Sequence, residues 1–242
     1  SEIKKVRQSD SRKDIRSTTT IGTDLNQSLD FSKSSNETNM LTYGVEFYED
    51  NNRGKRNGAA LSSFPDGHGE SYGFYLQYQK SLLRDKLIIT PGIRHDSFEL
   101  RTLDNSLNYS ESDIAFRIGA NYLVSENLTL YSNFAEGFNP PRIQDLFVDG
   151  LHFPANFLFP ANFFQPNTNL KVERSKSLDV RLKYLFENVL ATEDLLTLSF
   201  SEFRTNVNNY IFQEIDLPGG TTQFINIPSV ELEGREASLN YD

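Results

Sequence analysis

From residue 112 to 124 apolar and polar side chains alternate. Ile114, Phe116, Ile118, Ala120, Tyr122 and Val124 take the even positions, and Asp113, Arg117, Gly119 and Asn121 fall on the odd ones. Residues 177–186 repeat the pattern, with Leu178, Val180, Leu182, Tyr184 and Phe186 set against Ser177, Asp179, Arg181 and Lys183. Successive side chains of a strand point to opposite faces, so each segment carries one apolar and one polar face. A less pure version appears at Leu41, Tyr43, Val45 and Phe47, and again at Tyr72, Phe74, Leu76 and Tyr78. No stretch shows the 3.6-residue period of an amphipathic helix. The pattern predicts nine strands, at 17–31, 38–49, 71–81, 86–100, 112–124, 128–136, 175–187, 194–205 and 222–241, the last with a bulge or turn at Pro228.

The connections between these strands run 6, 21, 4, 11, 3, 38, 6 and 16 residues, a regular alternation of short and long. In an up-and-down antiparallel sheet consecutive connections fall at opposite ends, so the short ones gather at one end and the long ones at the other, as in membrane β-barrels. Several predicted strands are 11–15 residues long, against about 5–6 for an average soluble strand. A tilted strand crossing a bilayer needs about 9–11. The expectation is therefore an all-β, antiparallel up-and-down transmembrane β-barrel, of which nine strands with open edges form a section. A soluble β-sandwich shows the same alternation and is the alternative.

Composition narrows the function classes. The 242 residues hold no Cys, so disulfides, thiolate metal sites and cysteine nucleophiles are excluded. A net charge of −9 opposes binding to phosphate backbones, whose affinity comes from Lys and Arg. Mean hydropathy is −0.50, and no run approaches the roughly 18 apolar residues of a membrane helix. That excludes helical membrane proteins but not barrels, whose strands need only every second residue apolar. Aromatics are abundant and lopsided, with 19 Phe and 11 Tyr. The start at Ser1 and the stop at Asp242 lead us to expect a piece of a longer protein.

Leu130-Tyr131-Ser132-Asn133-Phe134-Ala135-Glu136-Gly137-Phe138-Asn139-Pro140-Pro141, followed by Gln144-Asp145-Leu146-Phe147, resembles a strand and loop start of TonB-dependent outer-membrane receptors. Asn167-Thr168-Asn169-Leu170-Lys171-Val172-Glu173-Arg174-Ser175 is similar to that family's "NPNLKPE-S" element. Thr90 to Asp96, Phe203 to Ile211 and Val230 to Gly234 fit its C-terminal half in order, so the resemblance covers about residues 80–242. Within the family the sequence is most similar to haem and haemoglobin receptors, which carry a "FRAP" and an "NPNL" box flanking a long external loop, with a haem-contacting histidine between. The boxes here are Phe138-Asn139-Pro140-Pro141 and Asn167-Thr168-Asn169-Leu170, with Asn139 at the Arg position and Thr168 at the first Pro.

His152 is the only histidine between the boxes. A neutral imidazole is a strong axial ligand for haem iron, and Phe153, Phe157, Phe159, Phe163 and Phe164 offer an apolar lining for a porphyrin. The plainer reading is that Phe-Pro-Ala-Asn-Phe, repeated at 153–157 and 159–163, forms a loop packing on itself. His68 lies in another long loop and is a second candidate ligand, although Pro65-Asp66-Gly67-His68-Gly69 is foremost turn chemistry. His95 reads as a strand-end residue near an aromatic belt, and Arg117, Asp179, Arg181 and Lys183 as inward polar residues of a barrel lumen. Glu231 and Glu233, or Glu46 and Glu49, make no acid–base dyad, and no nucleophile–base pair, phosphate loop or metal spacing stands out, so an enzyme is not expected.

The resemblance implies a partial TonB-dependent receptor barrel across 1–242. It implies import of haem, free or taken from a haem protein, as transported ligand with no intrinsic cofactor. It also implies TonB as energy-coupling partner through a plug region, outer-membrane lipid around the barrel, no nucleic acid, and an outer-membrane location in a diderm bacterium. A siderophore or other metal-chelate receptor is the alternative within the family.

Overall fold

The computed structural model describes residues 2–9, 12–34, 37–61, 63–103 and 107–242. Its strands are β1 (Glu2–Ser9), β2 (Arg12–Asp30), β3 (Asn39–Arg56), β4 (Ala59–Ala60), β5 (Gly67–Leu82), β6 (Leu87–Thr102), β7 (Asn108–Leu123) and β8 (Leu128–Asn139). After the helix α1 (Ile143–Phe147) come β9 (Gly150–Phe153), β10 (Asn162–Gln165), β11 (Glu173–Glu187), β12 (Leu195–Asp216) and β13 (Thr221–Tyr241). All lie in one 13-stranded sheet of order β1-β2-β3-β5-β6-β7-β8-β11-β12-β13-β10-β9, with β4 on β3. From β1 to β13 the long strands form an antiparallel meander, and among the described residues only the β10–β13 pair is parallel.

All nine predicted strands are present, and β1, β4, α1, β9 and β10 are additional. The main difference is length at the end that carries the 140–172 loop, here the upper end. β3 runs on to Arg56, β5 starts at Gly67 and β12 reaches Asp216, so the expected loops 50–70, 101–111 and 206–221 shrink to 57–66, 103–107 and 217–220. Alternation fails there because the extensions of β3 and β5 are polar on both faces and that of β12 is apolar on both, with Ile211 on one and Tyr210 and Phe212 on the other, while the backbone ladder continues. Asn51 stays in register with His68, and Thr18 donates its hydroxyl to Asn52 at 2.7 Å. Among these upper connections only 140–172 remains long.

Among the described residues nothing packs on the convex face. Leu178, Val180, Leu182 and Tyr184, which a β-sandwich would bury against a second sheet, are 49%, 37%, 44% and 38% exposed. That excludes the sandwich alternative and fits an apolar band turned to lipid. The band descends across the sheet. In one row of paired residues Ile118, Phe134 and Leu178 give way to Arg204 and Glu233. On β12 the apolar positions sit lower, at Leu196, Leu198 and Phe200, as tilted strands require. Above them Arg204 pairs with Glu231 at 2.7 Å and Arg235 with Glu202 at 3.1 Å.

The concave face is polar. Seven strands curl around a trough of about 1140 Å³ lined by residues such as Arg117, Asn133, Asp179, Arg181 and Lys183. On this face Arg94 is ion-paired, donating to Asp96 at 2.6 Å and to Glu46 at 2.7 Å. Buried apolar side chains concentrate at the upper end, where Ile143, Leu146, Phe147 and Leu170 form a small core.

Candidate functional site

The 140–172 loop is anchored at both roots. Asn139 and Glu173 are strand partners, and the Asn139 amide donates to the Glu173 carboxylate at 2.5 Å. The other Glu173 oxygen accepts the Ile211 backbone N–H at 2.7 Å. Pro140 and Pro141 follow, and a proline offers no N–H to a ladder, so β8 stops. Phe138 packs edge-on against Phe98, with centroids 6.0 Å apart, and Pro141 is fully buried. Arg142 then opens α1, its backbone N–H and guanidinium both donating to Asp145 at 2.9–3.0 Å.

Ile143, Leu146 and Phe147 bury one face of α1 with Leu170, against Leu100, Tyr109, Ile211 and Phe224 from the strand tops. Gly67 makes this seat, since a Cβ there would collide with the Ile143 side chain and lie 2.6 Å from the Arg101 carbonyl. The expected turn residue is thus a strand residue chosen for a close approach.

The second box staples the return. The Asn167 side chain donates to the Phe224 carbonyl at 2.9 Å, its backbone N–H bonds Leu146 at 2.9 Å, and its oxygen accepts the Asn169 N–H at 3.1 Å. Thr168 is exposed in that turn, and Leu170 enters the core while its carbonyl accepts the Tyr109 hydroxyl at 2.8 Å. Phe138 and Pro141 of the first box, with Asn167 and Leu170 of the second, therefore fix the loop.

Between the boxes, β9 and β10 form a hairpin laid on β13, with Phe163, Phe164 and Gln165 in parallel register with Thr221, Thr222 and Gln223. Gly220 permits it. Its φ is +68°, and an added Cβ would sit 2.7 Å from the Ala161 carbonyl. His152, on β9, is half-buried, its ring centroid 4.3 Å from that of Phe164 and 4.9 Å from that of Phe153. Its Nδ1 lies 3.0 Å from the Thr222 hydroxyl, which donates to the Asn162 side-chain oxygen at 2.6 Å. Its Nε2 makes no hydrogen bond among the described residues.

The two Phe-Pro-Ala-Asn-Phe copies do fold back on each other, Phe153 pairing with Asn162 and the Asn156 N–H bonding the Phe159 carbonyl at 3.0 Å, but they do different work. Asn156 accepts the N–H groups of Leu158 and Phe159 at 2.8 and 3.0 Å, making a tip on which Phe157 is 95% exposed. Asn162, in contrast, is fully buried under the hairpin. Of the five expected phenylalanines, Phe153 and Phe164 flank the imidazole, while Phe157 and Phe163 face outward.

His68 sits on β5, and its ring nitrogens both face acceptors, Asn51 Oδ1 at 3.2 Å and Glu70 Oε1 at 2.9 Å. Asn51 shows that oxygen because its amide nitrogen donates to Glu49 at 2.9 Å. No ring nitrogen of His68 is left open to a metal, and no contact joins His68 to His152 among the described residues. His95 faces outward opposite Phe74 and Ile114, but in the middle of β6 rather than at the expected strand end, because β6 runs on to Thr102.

The family model described as "TonB dependent receptor-like, beta-barrel" matches residues 5–242. The chain belongs to this family. Family membership explains the open sheet, the polar trough and the apolar convex band as parts of one receptor barrel, and the family is one of receptors rather than enzymes. The receptor chain is 27% identical over 232 residues to the hemin receptor of Yersinia pestis, covering 93% of this chain and 33% of that protein. It is 27% identical over 206 residues to heme/hemopexin utilization protein C of Haemophilus influenzae, covering 82% of this chain and 28% of that one. It thus spans about a third of the length of the curated relatives it matches. Among solved structures it is similar to a double mutant of the Serratia marcescens hemophore receptor HasR in complex with its hemophore HasA and heme, with a TM-score of 0.82 and 18% identity over 96% of this chain and 41% of that one. The copper transporter OprC shares the fold at a TM-score of 0.72 and 16% identity, covering 94% and 35% of the two chains.

The residues that sequence reasoning missed are Asn162 and Thr222. The repeated motif singles out Asn156 and Asn162 as a pair but not their different uses, and nothing local marks Thr222.

Proposed function

We propose that this chain is part of the barrel of an outer-membrane receptor that captures haem, free or presented by a haem protein, on its upper-end loops, and that the haem is imported with energy supplied through TonB. The upper end faces the exterior, the convex band faces lipid, and the trough faces a plug carried by the same receptor. His152 is the iron ligand on the loop side. The observation that carries this reading is a half-buried imidazole with an unengaged Nε2, flanked by two phenylalanines on a loop clamped by both boxes. An apolar, ring-lined setting with one nitrogen lone pair suits a porphyrin that presents an open axial position. The names of the Yersinia and Haemophilus relatives agree with that chemistry. His68, with its ring nitrogens engaged by Asn51 and Glu70, contributes to the loop scaffold in this reading.

The test is haem titration of the full-length receptor in detergent, comparing the natural protein with His152→Ala. Loss of the Soret signature of a histidine-ligated iron, with affinity lowered at least tenfold, is the expected result. Unchanged affinity and spectrum would remove His152 as ligand and favour a siderophore or other metal chelate as the cargo.

A further inference from the structure

Among the described residues the His152 ring makes its one hydrogen bond through a buried relay whose proton positions are dictated by its far end. The Asn162 amide nitrogen lies 3.0 Å from the Thr221 carbonyl and 3.3 Å from the Asp216 carbonyl. An amide oxygen in that place would face two acceptors, so the NH₂ group must point there and Oδ1 must point the other way, toward Thr222. Oδ1 can only accept, so the Thr222 hydroxyl spends its single proton on Asn162, at 2.6 Å. The Thr222 oxygen then has only lone pairs to offer Nδ1 of His152, 3.0 Å away. Nδ1 must carry a proton, and in the neutral ring Nε2 is left with the lone pair. Asn162 and Thr222 are both fully buried, so water does not compete for these bonds.

We infer that Asn162 and Thr222 are positioning residues that lock His152 in the Nδ1–H tautomer and aim its Nε2 lone pair at the haem iron. This rests on the reading of His152 as ligand. It extends that reading to residues 60 positions apart in the chain, which meet only because β10 pairs with β13. A metal-bound imidazole whose other nitrogen donates a hydrogen bond is held in orientation and made more basic.

The experiment uses the full-length receptor in detergent with haem as probe, in the natural protein, Thr222→Val, Thr222→Ser, His152→Ala and the double variant Thr222→Val/His152→Ala. Valine keeps the shape of threonine and removes the hydroxyl, whereas serine keeps the hydroxyl. Haem affinity should fall roughly tenfold in Thr222→Val and stay near the natural value in Thr222→Ser. The reduction potential of bound haem should rise in Thr222→Val, because a less basic imidazole stabilises ferric iron less. On the His152→Ala background the valine should cost nothing more. If His152→Ala weakens binding while Thr222→Val leaves affinity and potential unchanged, the relay is wrong and the ligand stands. If the valine weakens binding equally with and without His152, Thr222 acts on loop packing and the relay is wrong. If His152→Ala changes nothing, ligand and relay fall together.

Discussion

Asp194 shows how much one side chain organises at the lower end. It closes the turn between β11 and β12, where its carboxylate accepts the N–H groups of Val189, Leu190 and Ala191 at 2.6–2.8 Å and the Tyr241 hydroxyl at 2.9 Å. Burial pushes this carboxyl up, but the backbone donors and Tyr241 outweigh it and hold it at about 2. A carboxyl whose folded value is depressed stabilises the turn fully above the ordinary value near 3.8, and that contribution is lost as pH falls toward 2. Hydrogen exchange at the amides of Val189, Leu190 and Ala191, corrected for its intrinsic pH dependence, should stay slow down to about pH 4 and accelerate below it. In Asp194→Asn the same amides should be faster at neutral pH and lose the acid transition. Nothing in the alternating pattern marks Asp194, because its partners are backbone groups of a turn.

At the scale of elements, the hairpin that carries His152 depends on a backbone conformation as much as on side chains. Gly220 combines a φ of +68° with the close approach of the Ala161 carbonyl. Gly220→Ala should strain the residue by about 1–3 kcal/mol and push β10 off β13. The readouts are faster exchange at the Phe163 amide, which bonds the Gly220 carbonyl at 2.9 Å, and a loss of haem affinity toward that of His152→Ala. The strands themselves were legible from their period-two faces, and β11 matches its prediction within two residues because its apolar face is unbroken from Leu178 to Phe186. The upper extensions of β3, β5 and β12 were not, since a ladder of backbone hydrogen bonds survives where both faces are polar, as in β3 and β5, or both carry apolar residues, as at Tyr210, Ile211 and Phe212 of β12, and neither case leaves a period-two trace.

For the whole molecule, the decisive feature is that the largest apolar surface is on the outside. Ile118 sits mid-band, 49% exposed and in one row with Phe134 and Leu178. Ile118→Lys in the full-length receptor should cost about 2–4 kcal/mol of insertion into lipid vesicles, followed by the heat-modifiable gel mobility of folded barrels. Asn133→Lys, on the polar trough, should insert nearly as well as the natural protein. A lysine tolerated equally at both positions would contradict the assignment of the convex face to lipid.

The sequence by itself determined the strand class, the meander, the apolar face and the two loop-root boxes, because each is written in residues close together in the chain. Side-chain alternation is local, and a strand must pair with its neighbour whatever happens farther away. Only the tertiary structure decided how the candidate site is assembled. Asn162 and Thr222, 60 residues apart, meet because the loop between β8 and β11 crosses to the edge of β13, and a contact made by backbone pairing across that distance leaves no period to read. The same crossing gave His152 its hydroxyl partner, while His68, equally prominent in the sequence, was enclosed by acceptors from its own strand and the one beside it.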